Sequence, residues 1–492
     1  MVMIISIALL IRILIGLWGH SGMGCPPMFG DFEAQRHWLE ITTALPVGEW
    51  YKQTDQNDLM YWGLDYPPLT AYVSWIFGKF AHIIIPDLVA LHDSRGFESI
   101  EGKTFMRLSV IICDVLLLIP VTIGLCKTVL SELNLKKSAY ESSLVYLLTC
   151  LLLPGLLLID HGHFQYNGVC LALSLYGILL LSQGYDILGS VFYCLSLNFK
   201  QMSLYYAPVF FCYLLRKCLT KKTILSKLLM FVKLGLTVVL TFCILWLPFC
   251  IYSHTEETCA SSLLLVLQRQ FPFSRGIFED KVANIWYTVS IVVDIRTILN
   301  STQLLLCSLS LTVLLLAPTC VYLLLYNVNI VGLLFAMIAS SLAFFLASFQ
   351  VHEKSILLAL APAAFLVPLS RSYFSWVQLL GCFTMFPLLI RDKLRIPYIV
   401  CGLVYITLVS LLAPAELKHR QSCGNNRHQR GLFELLLSLF QYNSKRTLAE
   451  YVMLCMVLLH ASELLLPPPI HLPDLYAALF SLFGAANLCV IY

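Results

Sequence analysis

The stretch 228–251 reads LLMFVKLGLTVVLTFCILWLPFCI, 24 residues with one charged side chain, Lys233. A second stretch, 302–325, reads TQLLLCSLSLTVLLLAPTCVYLLL and carries no charge at all. Neither alternates polar with apolar residues, as a strand of a membrane barrel would. Both are long enough to cross a bilayer as a helix, which takes about 20 residues. In lipid the backbone must satisfy its own hydrogen bonds, so these stretches are helical spans. Similar runs occupy 2–18, 105–127, 142–159, 168–183, 187–199, 203–216, 330–349, 355–369, 375–390, 397–413, 450–466 and 474–492, which makes about fourteen predicted spans. Composition agrees. The 492 residues are 59% apolar and only 12% charged, against about 25% charged in soluble proteins. The prediction is an all-α polytopic membrane protein. A soluble enzyme, a disordered chain and a disulfide-stapled secreted module are excluded.

The charges are unevenly placed. Lys127, Lys136 and Lys137 share one loop, and Arg216, Lys217, Lys221, Lys222 and Lys227 another. With the 414–449 segment, they set a cytosolic side by the positive-inside rule. Arg391, Lys393 and Arg395 fall on the opposite side and break the pattern. The loop 19–104 faces away from the cytosol. It holds 11 of the 28 acids and four of the eight tryptophans. Function concentrates on loops of this kind. Its segment 69–86 reads as an amphipathic helix lying on the membrane surface. The chain divides into a module 1–251 that includes this loop, a loop and helix 252–301, and a more variable module 302–492. The N-terminal run, interrupted by Arg12, reads as a retained span rather than a signal peptide. A net charge of +4 gives no case for nucleic-acid binding. The 18 cysteines show no C-x-x-C pair, so neither a zinc site nor a disulfide framework is expected.

Five polar groups stand beside the apolar runs. In Gly30-Asp31-Phe32-Glu33-Ala34-Gln35-Arg36-His37-Trp38, the carboxylates either complement a helix dipole or serve as a general base. In Tyr61-Trp62-Gly63-Leu64-Asp65-Tyr66-Pro67-Pro68, the aromatics either anchor at the headgroups or stack on sugar. The turn Asp160-His161-Gly162-His163-Phe164-Gln165-Tyr166-Asn167 lacks a third strong ligand for a metal, and Gln165 and Asn167 suit sugar hydroxyls better. The run Arg269 to Lys281, with Arg275 and Asp280, is either a solvated loop or part of a cleft. Gln350-Val351-His352-Glu353-Lys354 is wedged between very apolar runs, where charge is costly and usually functional. The group is either an ordinary polar loop or a place where His352 and Lys354 hold a phosphate. Asp114 interrupts a span and needs a buried partner, either Arg12 or Arg107.

Together, in this order over about residues 20–360, these groups resemble the endoplasmic-reticulum glucosyltransferases of the lipid-linked oligosaccharide pathway. The run Glu33 to Trp38 and the Leu69-Thr70-Ala71-Tyr72 ending resemble the branch that adds the first glucose, with the second-glucose branch as the alternative. A flippase or transporter of lipid-linked sugars is a rival from another class. It would show midplane charges and inverted repeats. The resemblance implies a GT-C fold in the endoplasmic-reticulum membrane, with its site facing the lumen. It implies dolichyl-phosphate glucose as donor, a nine-mannose oligosaccharide on dolichyl diphosphate as acceptor, an inverting α-1,3 transfer and no metal cofactor. Asp31 would be the base. Glu33, Arg36, Trp38, Trp62, Asp65, Tyr66, His161, His163, Gln165, Arg275, Asp280, His352, Glu353 and Lys354 would bind substrate. His352 and Lys354 would take the leaving phosphate, with Arg36 or Arg275 in reserve.

Overall fold

The computed structural model describes residues 1–133, 140–252, 258–271, 277–278, 281–412 and 443–492. Among the described residues every regular element is a helix, and the one β-bridge joins Phe278 to Val351. Six helices are long and apolar enough to cross a membrane: Ile100–Glu132, Ser143–Phe164, Ile224–Ile251, Ser301–Leu325, Ile330–Ala347 and Leu448–Leu465. Five shorter apolar helices accompany them: Val2–Gly16, Asn167–Ser182, Asp186–Phe199, Arg395–Leu411 and Leu475–Ile491. The chain is therefore an all-helical polytopic membrane protein.

Some expected spans take another form. The stretch 355–369 holds only the helix Leu357–Ala364, with Pro362 inside it. The stretch 375–390 is split between Arg371–Thr384 and Phe386–Arg391, where Pro387 starts the second piece. Leu357–Ala364 is wholly buried within protein, and most of the other two pieces is buried as well. Broken helices are tolerated at membrane depth where protein rather than lipid surrounds them. The Ile100–Glu132 helix is longer than the predicted 105–127, and widens into a π turn at Asp114–Leu118. That turn lies just ahead of Pro120, which has no N–H to offer the preceding turn.

Asp114 answers to Arg12. Arg12 Nε donates to Asp114 Oδ2 at 2.7 Å, and its Nη atoms donate to the carbonyls of Ala8 and Leu151. His161 Nε2 stands 2.9 Å from the same carboxylate oxygen. This buried knot ties the first helix to two others. Arg107, the other candidate partner, instead donates to the carbonyls of Gly19 and Gly162.

The first loop folds over one end of the bundle. Its helix Pro68–Ile84 buries a small-residue face, Thr70, Ala71, Ser74, Gly78 and Ala81. Trp75, Ile76, Phe80, Ile83 and Ile84 are exposed, so its apolar side points outward, as suits a lipid boundary. Gly78 permits close packing on Asp31–Ala44: a Cβ there would lie 2.7 Å from the Leu39 carbonyl oxygen. Trp38, Trp50 and Tyr51 form a satellite core with Phe249, at the end of Ile224–Ile251. Beside Phe249, Cys250 is disulfide-bonded to Cys259. The sequence reading expected no disulfide framework. The one bridge among the described residues joins cysteines nine positions apart, a spacing with no motif to mark it.

Removing one partner of a buried ion pair leaves the other charge stranded in low dielectric, at a cost of about 3–5 kcal/mol. Arg12→Met and Asp114→Leu are each expected to lower the melting temperature of the purified protein strongly. The double variant should recover most of the loss. Additive losses in the double variant would show that the two side chains act separately.

Candidate active site

The site begins with a sharp chain reversal. Gly30 has φ +86°, in the left-handed region that favours glycine. A Cβ there would sit 2.7 Å from Ser21 Oγ. That hydroxyl accepts from the Asp31 amide at 3.0 Å, and the Ser21 amide donates to the His163 carbonyl at 2.9 Å. Asp31 thus opens the helix Asp31–Ala44 with its side chain facing the turn that carries His163.

That turn is itself strained. Leu157–Phe164 is a π turn, and Phe164 ends it at φ +88°. A bulky residue holds such a backbone only where packing compels it. Here Phe164 is buried against Phe32 and Tyr166. The reversal turns both His163 and Gln165 toward Asp31. A third segment arrives from far along the chain. Val351 bridges to Phe278, the Gln350 amide donates to the Ile277 carbonyl, and Lys354 follows in the short turn Glu353–Ile356.

The three segments converge on one oxygen. Asp31 Oδ2 accepts from Gln165 Nε2 at 2.6 Å and from Lys354 Nζ, and lies 3.0 Å from His163 Nε2. Among the described residues nothing donates to Oδ1, and the side chain is 25% exposed. One oxygen is anchored while the other is left without a donor among the described residues. Burial alone would raise the Asp31 pKa, but the Lys354 ammonium and the His163 bond hold it well below the usual carboxylate range. Behind His163, its Nδ1 stands 2.5 Å from Asp392 Oδ2, so the ring is gripped between two carboxylates. His352 is half-buried, and its Nδ1 accepts from the Lys354 amide at 3.2 Å. Burial, with Lys354 and Lys200 close by, pushes its pKa well down and keeps it neutral.

Other predicted site residues lie elsewhere. Arg36 is fully buried and all of its donors are engaged. They meet both oxygens of Glu33, Glu40 Oε2, Ser94 Oγ and the Leu88 carbonyl. Tyr61 donates to Glu33 at 2.8 Å, and the Gly96 amide does so at 3.1 Å. Burial opposes the Arg36 charge, but the two glutamates raise its pKa above the ordinary value. Glu33 and Arg36 therefore brace the loop, and Arg36 has no donor left for a phosphate. Trp38 is core and donates to the Trp62 carbonyl. Trp62 is half-buried and donates to the Met28 carbonyl. His161 faces Asp114, away from His163, because successive side chains of the π turn diverge. Asp65 and Tyr66 are half-buried, and Arg269 ties this segment to the next loop through the carbonyls of Gly63 and Leu64. Glu353 lines a separate cavity with Lys281, Arg391 and Asp474. Arg275 and Asp280 lie outside the described residues. Among the described residues, no three His, Cys, Asp or Glu side chains gather as metal ligands.

Two participants were missed by the sequence reading. Asp392 sits among Arg391, Lys393 and Arg395, the basic segment that broke the topology rule. Its placement against His163 puts that segment at the site end of the molecule. Lys200 closes an apolar helix and looks like an ordinary span boundary. Its ammonium donates to Asn167 Oδ1 at 2.6 Å and Gln165 Oε1 at 3.4 Å.

Arg36→Met would leave Glu33 and Glu40 buried without their cation, so a loss of about 3–5 kcal/mol in stability is expected. An unchanged melting temperature would mean that Arg36 is free for a ligand after all. Acid acts on the same cluster. Burial alone would raise the Glu40 pKa, but its His37 and Arg36 partners bring it down from 4.5 to about 2. The stability it contributes is therefore full above about pH 4.5 and is lost as pH falls toward 2. Replacing Glu40 by Gln should flatten the acid limb of the stability profile in that window.

Known proteins resemble this chain along nearly its whole length. Residues 8–492 match the model of the ALG6, ALG8 glycosyltransferase family. A dolichyl pyrophosphate Man9GlcNAc2 alpha-1,3-glucosyltransferase of Gallus gallus is 45% identical over 407 residues, covering 83% of this chain and 78% of that protein. The protein of the same name from Pongo abelii is 41% identical, covering 99% and 94%. A probable one from Dictyostelium discoideum is 40% identical, covering 98% and 91%. An all-helical membrane bundle with a carboxylate held at one face, and this likeness over nearly all of its length, place the chain in the ALG6, ALG8 glycosyltransferase family.

Proposed function

We propose that this protein transfers glucose from dolichyl-phosphate glucose to dolichyl-diphosphate-linked Man9GlcNAc2, forming an α-1,3 bond with inversion at the sugar carbon. The acceptor and linkage follow the names of the relatives. The observation that carries the chemistry is the asymmetric Asp31 carboxylate, with Oδ2 anchored and Oδ1 open. Oδ1 accepts the proton of the acceptor mannose hydroxyl as that oxygen bonds to C1 of glucose. The C1–O bond to phosphate breaks on the opposite side, and its electron pair stays on the phosphate. The departing group is an anion before and after, so it needs cationic donors rather than a general acid. The chain supplies those donors, and the proposal includes no metal.

The site face is proposed to be the lumenal face of the endoplasmic-reticulum membrane. One helix supports this at both ends. Ile224–Ile251 starts just after Lys221 and Lys222, as cytosolic ends do. It ends at the Cys250–Cys259 disulfide beside the site loop, and disulfides persist in oxidising compartments. The exposed apolar side of Pro68–Ile84 lies on the same loop as Asp31, where a lipid-borne donor would approach.

Purified protein, synthetic dolichyl-phosphate glucose and a nine-mannose lipid acceptor should give a product with one α-1,3-linked glucose. Product formed only from an acceptor that already carries glucose would move the assignment to the second-glucose branch. Asp31→Asn keeps the anchoring geometry but cannot take a proton. Transfer should fall by about 10²–10⁴-fold with the fold intact, and near-normal turnover would sink the base assignment. Lys354→Met removes the cation that depresses the Asp31 pKa. The acid limb of its kcat/KM profile should move to higher pH than in the wild type.

A further inference from the structure

We infer that Lys200 is the cation that binds the phosphate of the lipid donor. The inference rests on the donor reading above. The other candidate cations are already paired or uncharged. Arg36 is consumed by Glu33 and Glu40. Lys354 is paired directly with Asp31. His352 carries no charge, for the reasons given above. In an inverting displacement the base and the leaving phosphate stand on opposite sides of the reacting carbon. A cation resting on the base is therefore badly placed to hold the leaving group.

Lys200 differs from all of these. It is 6% exposed, yet no carboxylate lies within salt-bridge distance among the described residues. Its partners are two amide oxygens and the face of Tyr66, whose ring centre is 4.8 Å from Nζ. Each of the two amides turns its NH₂ group to a carboxylate: Gln165 to Asp31 at 2.6 Å, and Asn167 to Asp160 at 2.8 Å. Two parallel bridges, Lys200–Gln165–Asp31 and Lys200–Asn167–Asp160, thus hold the ammonium one amide away from each acid. The amides orient the lysine without neutralising it. A buried ammonium with only neutral partners is costly, and a phosphate monoanion or dianion would offset that cost with a charge-assisted bond. Burial also pulls the ammonium below the ordinary lysine range, to about 8. An arriving anion would favour the charged form. Tyr66 is half-buried, so the ring that covers the ammonium reaches the surface of the protein. Gln165 then links the two ends of the reaction: one end of its amide holds the base, and the other holds the phosphate cation.

The test is a comparison of wild type, Lys200→Met and Lys200→Arg, purified and checked for folding by thermal melting. Donor KM should rise at least about tenfold in Lys200→Met, with acceptor KM within about twofold of wild type. Inhibition by a short-chain polyprenyl monophosphate should weaken in parallel. The corresponding polyprenyl alcohol, which lacks the phosphate, should act equally on all three proteins. Lys200→Arg should recover part of the donor affinity because it restores the charge. A lysine that merely braces the fold would lower kcat or the melting temperature without separating donor from acceptor. That result, or unchanged inhibition by the monophosphate in Lys200→Met, overturns the inference. Should Lys200→Met prove unstable, Lys200→Gln carries the same comparison. Wild-type protein that forms no glucoside, yet binds the lipid monophosphate through Lys200, would defeat the transferase reading and leave this one standing.

Discussion

A charge inside a lipid-soluble chain must find a partner within the protein, and that requirement organises the whole molecule. The Arg12–Asp114–His161 knot meets it within the bundle, where one guanidinium, one carboxylate and one imidazole join three helices. Arg36 meets it in the first loop by saturating every donor on two glutamates, a serine and a carbonyl. These clusters cannot rearrange cheaply, because losing any member strands the rest in low dielectric. The first cluster fixes three spans to one another, and the second fixes the loop that carries Asp31 on itself.

The site departs from this rule in a controlled way. Asp31 is paired through one oxygen only, and Lys200 is solvated by amides instead of a carboxylate. Both are incompletely neutralised, and they are linked through Gln165. Incomplete pairing is what a reacting centre needs, since a fully satisfied group has nothing left for substrate. Strain accompanies it. Gly30 and Phe164, the residues directly before Asp31 and Gln165, both have positive φ. Packing around Phe164 and the Ser21 bridge hold these conformations in place.

The recognisable stretches of sequence did not all become site. Gly30-Asp31 and Phe164-Gln165 meet in the candidate site, with Lys354. Glu33, Arg36, Trp38 and His161 became the frame around it. A pattern of residue types at short spacing identifies a family and a neighbourhood. It does not tell a carboxylate that faces substrate from one two positions later that faces an arginine, because a helix turns by about 100° per residue. Asp392 was hidden by its basic neighbours, which read as a topology anomaly. Lys200 was hidden at the end of an apolar helix, where lysines are ordinary. The signal present for Asp392 was the anomaly itself: a basic segment predicted opposite to the other basic loops.

By itself the sequence determined the solvent, the helical class, the side on which polar residues collect, and the family. These follow from composition, from the length of apolar runs and from local motifs, which are properties of short segments. The tertiary structure decided partnership. Asp31 is 132 residues from His163 and 323 from Lys354, and His163 is 229 from Asp392. Contacts across such separations depend on which face of each helix meets which neighbour. That depends on packing summed over the whole bundle. Only the folded chain could show that Asp31 keeps one oxygen free, that Arg36 keeps no donor free, and that Lys200 waits beside two amides.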